Sequence, residues 1–389
     1  MNTAIGRKRL DEPLAMAVII LMATGAVMVF SASANLSQEL NLRNFYEFTQ
    51  LRQILFFPLA LAVMYVTSLL DYHRFSLAEG WRKSFTPYLL GLAIAALTIV
   101  LVPGIGAEVN YVRRWLHIPL GPIVLSFQPS ELAKWAVILF LAAFCHKFTY
   151  SMHLFWRRFV PACLVIGVVV GLIVTQDFGT AVFIALLAFL ILVIGGAKRR
   201  YFLVPIPVLA VVFYLAIAGS ASRIQRILAF INPAKWADSA GYQARQSLIA
   251  IATGGIWGKG LGLGICKYGH LPEDTTDFIF AIIAEELGFV GAAGVIGLFA
   301  AFVLLGILVV ARCRDRFGRL LAAGIVLTIG IQAAFNIGVV MALVPTKGIP
   351  LPFVSAGATS MLLSAAAVGV LLNIAKQTAL PQTRELQNE

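Results

Sequence analysis

Ten stretches of near-continuous apolar sequence divide this chain, at roughly 13–34, 53–70, 86–103, 129–146, 159–175, 178–196, 201–219, 277–311, 317–345 and 354–375. A helix rises 1.5 Å per residue, so about 20 apolar residues cross the roughly 30 Å hydrocarbon core of a bilayer. With 60% of its 389 residues hydrophobic and 12% charged, the chain has too few polar side chains to cover a soluble surface. The runs are continuous rather than alternating, which argues against a β-barrel. The expected fold is an all-α polytopic membrane protein of about ten transmembrane helices, forming one domain over 1–389. Its parts are an N-terminus 1–12, helices 1–7 over 13–219, a large loop 220–276, helices 8–10 over 277–375 and a tail 376–389.

Lys and Arg set the orientation. With the N-terminus in the cytoplasm, 18 of the 30 basic residues fall on that side, including Arg7, Lys8, Arg9, Arg157, Arg158, Lys198, Arg199, Arg200 and Arg312 to Arg319. Each inward segment carries some, as the positive-inside bias requires. Both termini are then cytoplasmic, and 104–128, 220–276 and 346–353 face outward. The net charge of +12 is a topology signal beside anionic lipid and implies no nucleic acid. Met1 to Ala34 reads as a retained first helix, its apolar run being too long for a cleaved leader. Cys145, Cys163, Cys266 and Cys313 share no paired spacing, and the five histidines are scattered singly, so neither a disulfide framework nor a zinc site is implied.

The run "GGIWGKGLGLG", Gly254 to Gly264, has neither the Ser or Thr after Gly-Lys nor the preceding strand of a phosphate loop. Glycine for tight turns in a re-entrant or external loop accounts for it. Beside it, "YQARQSLIAIATGGIW" has apolar residues at helical spacing and reads as a short surface helix.

Carboxylates in so apolar a chain need a reason. Glu131 and Lys134, three apart, can pair on one helix face. Glu285 and Glu286 lie roughly 12 Å along a helix from Asp277, well inside the membrane, where interhelical hydrogen bonds or ion pairs suit them better than substrate. Asp177 in "TQDFGTA" fits packing or function equally. Asp277 is expected in the first turn of helix 8 at the outer face, with Thr275 and Thr276 available as caps. There it is either helix decoration or a general base facing the outer leaflet.

Taken in order, "RRWL", "FQPSELAK", "QDFGTA", "YQARQSLIAI", "GGIWGKGLG", "LPEDTTDFIFAIIAEELG" and "LVPTKGIPLPFVSAG" resemble the SEDS family of bacterial cell-wall polymerases, whose division and elongation members are FtsW and RodA. The resemblance spans nearly the whole chain. It implies a ten-helix, inverting peptidoglycan glycosyltransferase in the bacterial cytoplasmic (inner) membrane that polymerises lipid II at the outer face. The implied partners are a class B penicillin-binding protein transpeptidase, other divisome or elongasome membrane proteins, and membrane lipid. By the same resemblance Asp277, the acid of "TDFIFA", is the catalytic residue. Arg113, Arg114, Trp115, Gln128, Ser130, Glu131, Lys134, Asp177, Gln246, Lys267, Lys347 and Ser355 are substrate-binding candidates.

Asp277 would take the acceptor hydroxyl proton while cations hold the departing diphosphate, which needs no acid to leave. A divalent cation, magnesium or manganese, would be shared between Asp277 and substrate phosphates. The chain departs from the family at "SAGATS", where Ala356 and Ala358 replace an aromatic and a glycine, and an alanine at a positive-φ position would strain that loop. "TKG" resembles the division type and "GIPLPF" the elongation type, with the balance toward division. Two other classes stay open: a transporter that flips the lipid-linked precursor along Glu285, Glu286 and Asp177, and a non-catalytic scaffold for the transpeptidase.

Overall fold

The computed structural model describes residues 9–33, 49–109, 112–120, 123–267 and 275–379. Arg7, Lys8, His270, Glu273, Asp274 and Arg384 lie outside the described residues.

Helices dominate, in the order α1 (Asp11–Ser33), α2 (Thr49–Leu69), α3 (Thr86–Leu101), α4 (Pro129–Lys147), α5 (Val160–Val174), α6 (Phe178–Ile194), α7 (Pro205–Ala218), α8 (Ala221–Ile231), α9 (Tyr242–Gly254), α10 (Ile279–Arg312), α11 (Arg316–Val340) and α12 (Ala358–Ala379). Their starts follow from local chemistry. Pro129 opens α4, where its missing N–H breaks no intrahelical bond. Asp177 and Asp315 cap α6 and α11, accepting from Thr180 N at 3.1 Å and Gly318 N at 2.6 Å.

By length and composition, six helical segments among the described residues can cross a membrane: Asp11–Ser33, Phe155–Val174, Arg199–Ala218, Ile279–Arg312, Arg316–Val340 and Ala358–Ala379. Leu55–Leu69, Thr86–Leu101 and Phe178–Ile194 are shorter apolar helices. α4 carries Glu131 and Lys134 and is buried almost all round, packed by α3, α6 and α11. α7 is the opposite case, a wholly apolar helix with no buried residue.

The sequence reading places 104–128 at the outer face and assigns it no element. The structure instead forms an antiparallel three-stranded sheet, β1 (Gly106–Val109), β2 (Val112–Leu120) and β3 (Ile123–Phe127), with a register shift between Ala107 and Glu108. It is tied down where Thr359 Oγ1 of α12 donates to Ser126 O at 3.0 Å.

The glycine-rich run packs back onto α10. It folds against a break in α10 at Gly288, where φ is 69° and ψ is −166°. Lys259 N and Gly260 N donate to Glu285 O and Glu286 O at 3.0 Å each, and Phe289 N donates to Gly255 O at 2.9 Å. The main-chain groups freed by the kink are thereby satisfied, as a low-dielectric site requires. A Cβ on Gly258 would collide with Glu286 O, so only glycine permits this approach.

Candidate functional site

Two turns and one loop converge at one end of the bundle. Thr275 O accepts from Ala356 N at 2.9 Å, and Thr276 O accepts from Ser355 Oγ at 2.6 Å. The Asp277 main-chain oxygen accepts from Asn336 Nδ2 at 2.7 Å. The half-buried Asp277 side chain lies against Gly348: a Cβ placed on that glycine would sit 2.8 Å from Asp277 Oδ2.

The expectation for this turn is corrected here. α10 starts at Ile279, and its N-cap position is Phe278, with no side-chain cap. Thr275 and Thr276 lie ahead of the N-cap position, and their carbonyls accept from the 346–356 loop. Asp277 therefore precedes the helix and hangs from a turn anchored on both sides.

Lys347, next to Gly348, reaches toward the turn between α5 and α6. Its Nζ lies 5.5 Å from the Phe178 ring centre, and its Cε occupies the space a Cβ on Gly179 would need. Burial pushes the Lys347 ammonium down to about 8, partly offset by the nearby Asp177 carboxylate. Asp177 itself is buried, its two oxygens accepting from Thr180 N and, at 2.8 Å, Thr180 Oγ1.

Arginines close on the same turn. Arg114 Nε donates to Gln176 O at 2.7 Å, Arg113 N donates to Gln176 Oε1 at 2.9 Å, and the Arg113 guanidinium pairs with Glu108 at 3.1 Å. From α8, Arg223 Nη2 donates to Thr175 O at 3.0 Å and its guanidinium stacks 5.3 Å from Phe178. Burial, then the Arg114 charge, hold Arg223 below its ordinary value against the pull of Asp177, with Arg226 adding to the repulsion. Such crowded cations are an incomplete arrangement that an anion would complete.

Other candidates stand elsewhere. Lys134, 1% exposed, donates to Glu131 Oε2 at 2.8 Å and Gln332 Oε1 at 2.9 Å, while Gln332 Nε2 donates to Pro350 O at 2.9 Å. The pair is a buried support beneath the 346–356 loop. Lys267 is not a basin cation: its buried ammonium donates to Glu286 Oε1 at 3.0 Å, Gly262 O at 2.8 Å and Ser31 O at 3.2 Å. The single Ser355 proton is used on Thr276 O, and its oxygen accepts from Leu351 N at 2.7 Å, so this residue holds the loop. Gln128 Nε2 donates to the buried Ser130 at 3.1 Å. Trp115 is half-buried on β2 opposite Ala107, and Gln246 is half-buried on α9.

Glu285 and Glu286 form ion pairs, as expected, and do so at the α10 break. Glu285 Oε1 meets Lys259 Nζ at 2.7 Å, and Glu286 Oε2 accepts from Ser31 Oγ at 2.5 Å. Ile279 to Glu286 are buried, whereas Phe289 beyond the break is 69% exposed. The strain expected in "SAGATS" is absent: the left-handed non-glycine residues are Ala342 and Phe353, not Ala356 or Ala358.

Sequence reasoning passed over Gln176, Arg223, Arg226 and Asn336. The spacing of Arg223 and Arg226, three apart on an amphipathic helix, was the available signal.

This fold and site define a polytopic membrane protein with a carboxylate and a cluster of cations gathered at one end of its helix bundle. The chain belongs to the FtsW/RodA/SpoVE family, described as cell cycle protein, whose profile matches residues 12–380. It is 36% identical over 368 residues to "Probable peptidoglycan glycosyltransferase FtsW" of Geobacter metallireducens, covering 94% of this chain and 95% of that one. The protein of the same name from Nitrosomonas europaea is 38% identical over 373 residues, at 94% and 92% coverage. One similar solved structure, "Structural coordination of polymerization and crosslinking by a peptidoglycan synthase complex", has a TM-score of 0.72 at 25% identity, covering 94% of this chain and 97% of that one. The rod shape determining protein RodA of Thermus thermophilus gives 0.63 at 25% identity, with 95% and 97% covered.

Proposed function

We infer that this chain is a peptidoglycan glycosyltransferase that polymerises lipid II, with Asp277 as general base. The supporting observation is continuity: Arg114 and Arg223 hold the 174–177 turn, Lys347 reaches that turn from the far side, and Gly348 beside it abuts the Asp277 carboxylate. An acceptor hydroxyl at Asp277 would give up its proton as its oxygen attacks the anomeric carbon with inversion. The diphosphate would leave toward Lys347, Arg223 and Arg114, where guanidinium donors match its oxygens. Arg113 and Trp115 border this basin from β2, while Glu131, Lys134 and Ser355 position its floor and loop.

A divalent cation, magnesium or manganese, would find no all-protein cage among the described residues, where no three Asp, Glu, His or Cys side chains converge. Asp277 with substrate phosphates is then the donor set, and the cation would supply charge to the departing group.

The remaining parts of the reading are likewise our proposal. The chain is one domain of ten spans in the cytoplasmic membrane, termini inward, with the basin and the 220–276 segment facing outward. A class B penicillin-binding protein pairs with it, and other division or elongation membrane proteins surround it, with division favoured. The transporter alternative needs a polar path, but Glu285, Glu286 and Asp177 are each committed to closed contacts.

Purified protein in proteoliposomes with labelled lipid II tests this, with and without the transpeptidase. Glycan strands are expected, and Asp277→Asn should abolish them while leaving the fold intact. Polymer from Asp277→Asn at the normal rate, or lipid crossing without polymer, overturns the reading.

A further inference from the structure

Between α8, α9 and residues 342–346 lies a cavity of about 490 Å³. Its wall is largely apolar and rich in alanine, with Ala229, Ala237, Ala240 and Ala244 beside the larger Phe230 and Leu248. The site is partly open, and its uncovered apolar wall lacks contacts that a bound hydrocarbon chain would supply. The volume is in the range of a ligand site.

The charged groups are placed at its edge. Arg226 and Arg245 line it and no acidic residue does. Arg245 is engaged by Asp238 at 2.9 Å, whereas Arg226, exposed one helical turn after Arg223, has no ion pair among the described residues. Thr346, also in the wall, immediately precedes Lys347. One end of the apolar groove therefore opens beside the cations that crowd the 174–177 turn.

We propose that this groove holds the diphosphate-proximal isoprene units of the lipid-linked substrate, with Arg226 at the junction between apolar chain and diphosphate. The proposal rests on the polymerase reading. A polyprenyl diphosphate joins its charge directly to a hydrocarbon chain, which matches an arginine standing at the mouth of an alanine-lined groove. A phospholipid puts glycerol and ester oxygens between phosphate and chain, and the groove offers those few polar partners.

The full-length protein in detergent is irradiated with geranylgeranyl diphosphate carrying a diazirine on its second isoprene unit, and with a phosphatidylglycerol carrying the same group. Adducts of the first probe are expected in 226–252 and 342–346, reduced in Arg226→Gln and in Ala244→Trp, with the second probe labelling there at most weakly. In polymerisation, Ala244→Trp should raise KM for lipid II by about tenfold with kcat little changed, the loss expected from withholding one or two methylenes. Should that variant not fold, Ala244→Leu and the wild-type adduct map decide. Adducts confined to other segments, or equal labelling by the phospholipid, overturn the proposal. Asp277→Asn should keep the adducts while making no polymer, so the two readings fail separately: polymer without groove labelling sinks this one alone, and groove labelling without polymer sinks the polymerase.

Discussion

Asn336 Nδ2 donates at once to the Asp277 main-chain oxygen at 2.7 Å and to Ile349 O at 2.8 Å. One buried amide on α11 thus ties the turn bearing the proposed base to the loop bearing Lys347 and Gly348. Asn336→Ala would leave two carbonyls without that donor, at about 1–3 kcal/mol each. The expected result is a lower melting temperature and a fall in kcat of about tenfold or more, with KM for lipid II less affected, because misplacing a reacting group costs rate before affinity. Unchanged kcat in a destabilised Asn336→Ala would mean the amide serves folding alone.

Gly348 gives a cleaner perturbation. Its φ is not in the left-handed region, so alanine is tolerated by the backbone, yet the new methyl would lie 2.8 Å from Asp277 Oδ2. The carboxylate must move. Gly348→Ala should therefore lower polymerisation by about tenfold, since a shift of roughly half an ångström restores ordinary contact and a misplacement of about 1 Å costs about a hundredfold, with stability changed little. Full activity in this variant would place the proton acceptor elsewhere.

Lys347 sets a pH limit. Its value is pushed down to about 8 from an ordinary 10.5, largely by burial. If the ammonium holds the departing diphosphate, kcat/KM falls as pH rises through about 8, where the free enzyme loses that charge. Lys347→Arg should carry the plateau to higher pH, since a guanidinium stays protonated there. The stability sign is opposite. The unfolded chain binds the proton more tightly, so the cost of burying this cation is in full force below pH 8 and is relieved between about 8 and 10.5. Rates and melting temperatures across pH 6–10 would thus move in opposite directions. An alkaline limb that persists unchanged in Lys347→Arg rules this residue out as its cause.

What could be read from the chain divides along physical lines. Helix positions were legible because apolar length is a local property. The Glu131–Lys134 pair was legible from its three-residue spacing, and ion pairing by Glu285 and Glu286 from the cost of a bare charge, though not their partners Lys259 and Lys267. The identity of the cations was not. Lys267 and Lys347 look alike in sequence, yet one closes on Glu286 and the other reaches the 174–177 turn, which only tertiary contacts decide. Arg223 was hidden for the same reason, as two of its carbonyl partners lie 48 and 49 residues earlier in the chain. The sheet at 106–127 escaped because Arg113, Arg114 and Trp115 break the alternation that marks a strand.

The α10 break depends on its carboxylates. Glu286 receives Lys267 Nζ at 3.0 Å, Ser31 Oγ at 2.5 Å and Gly262 N at 3.1 Å, joining α1 and the glycine-rich turn to the short buried segment that leads from Asp277. Glu286→Gln keeps the shape but removes the carboxylate charge that faces the buried Lys267 ammonium at 3.0 Å. Breaking a buried pair in this way costs about 3–5 kcal/mol, so the variant should melt far below the parent in detergent. Adding Lys267→Met removes the facing charge as well, and the double variant should regain most of the loss because no ammonium then has to be desolvated. If the single variant melts with the parent, the pair is not closed as drawn. If the double variant is as weak as the single, Lys267 matters through its bonds to Ser31 O and Gly262 O rather than through its charge.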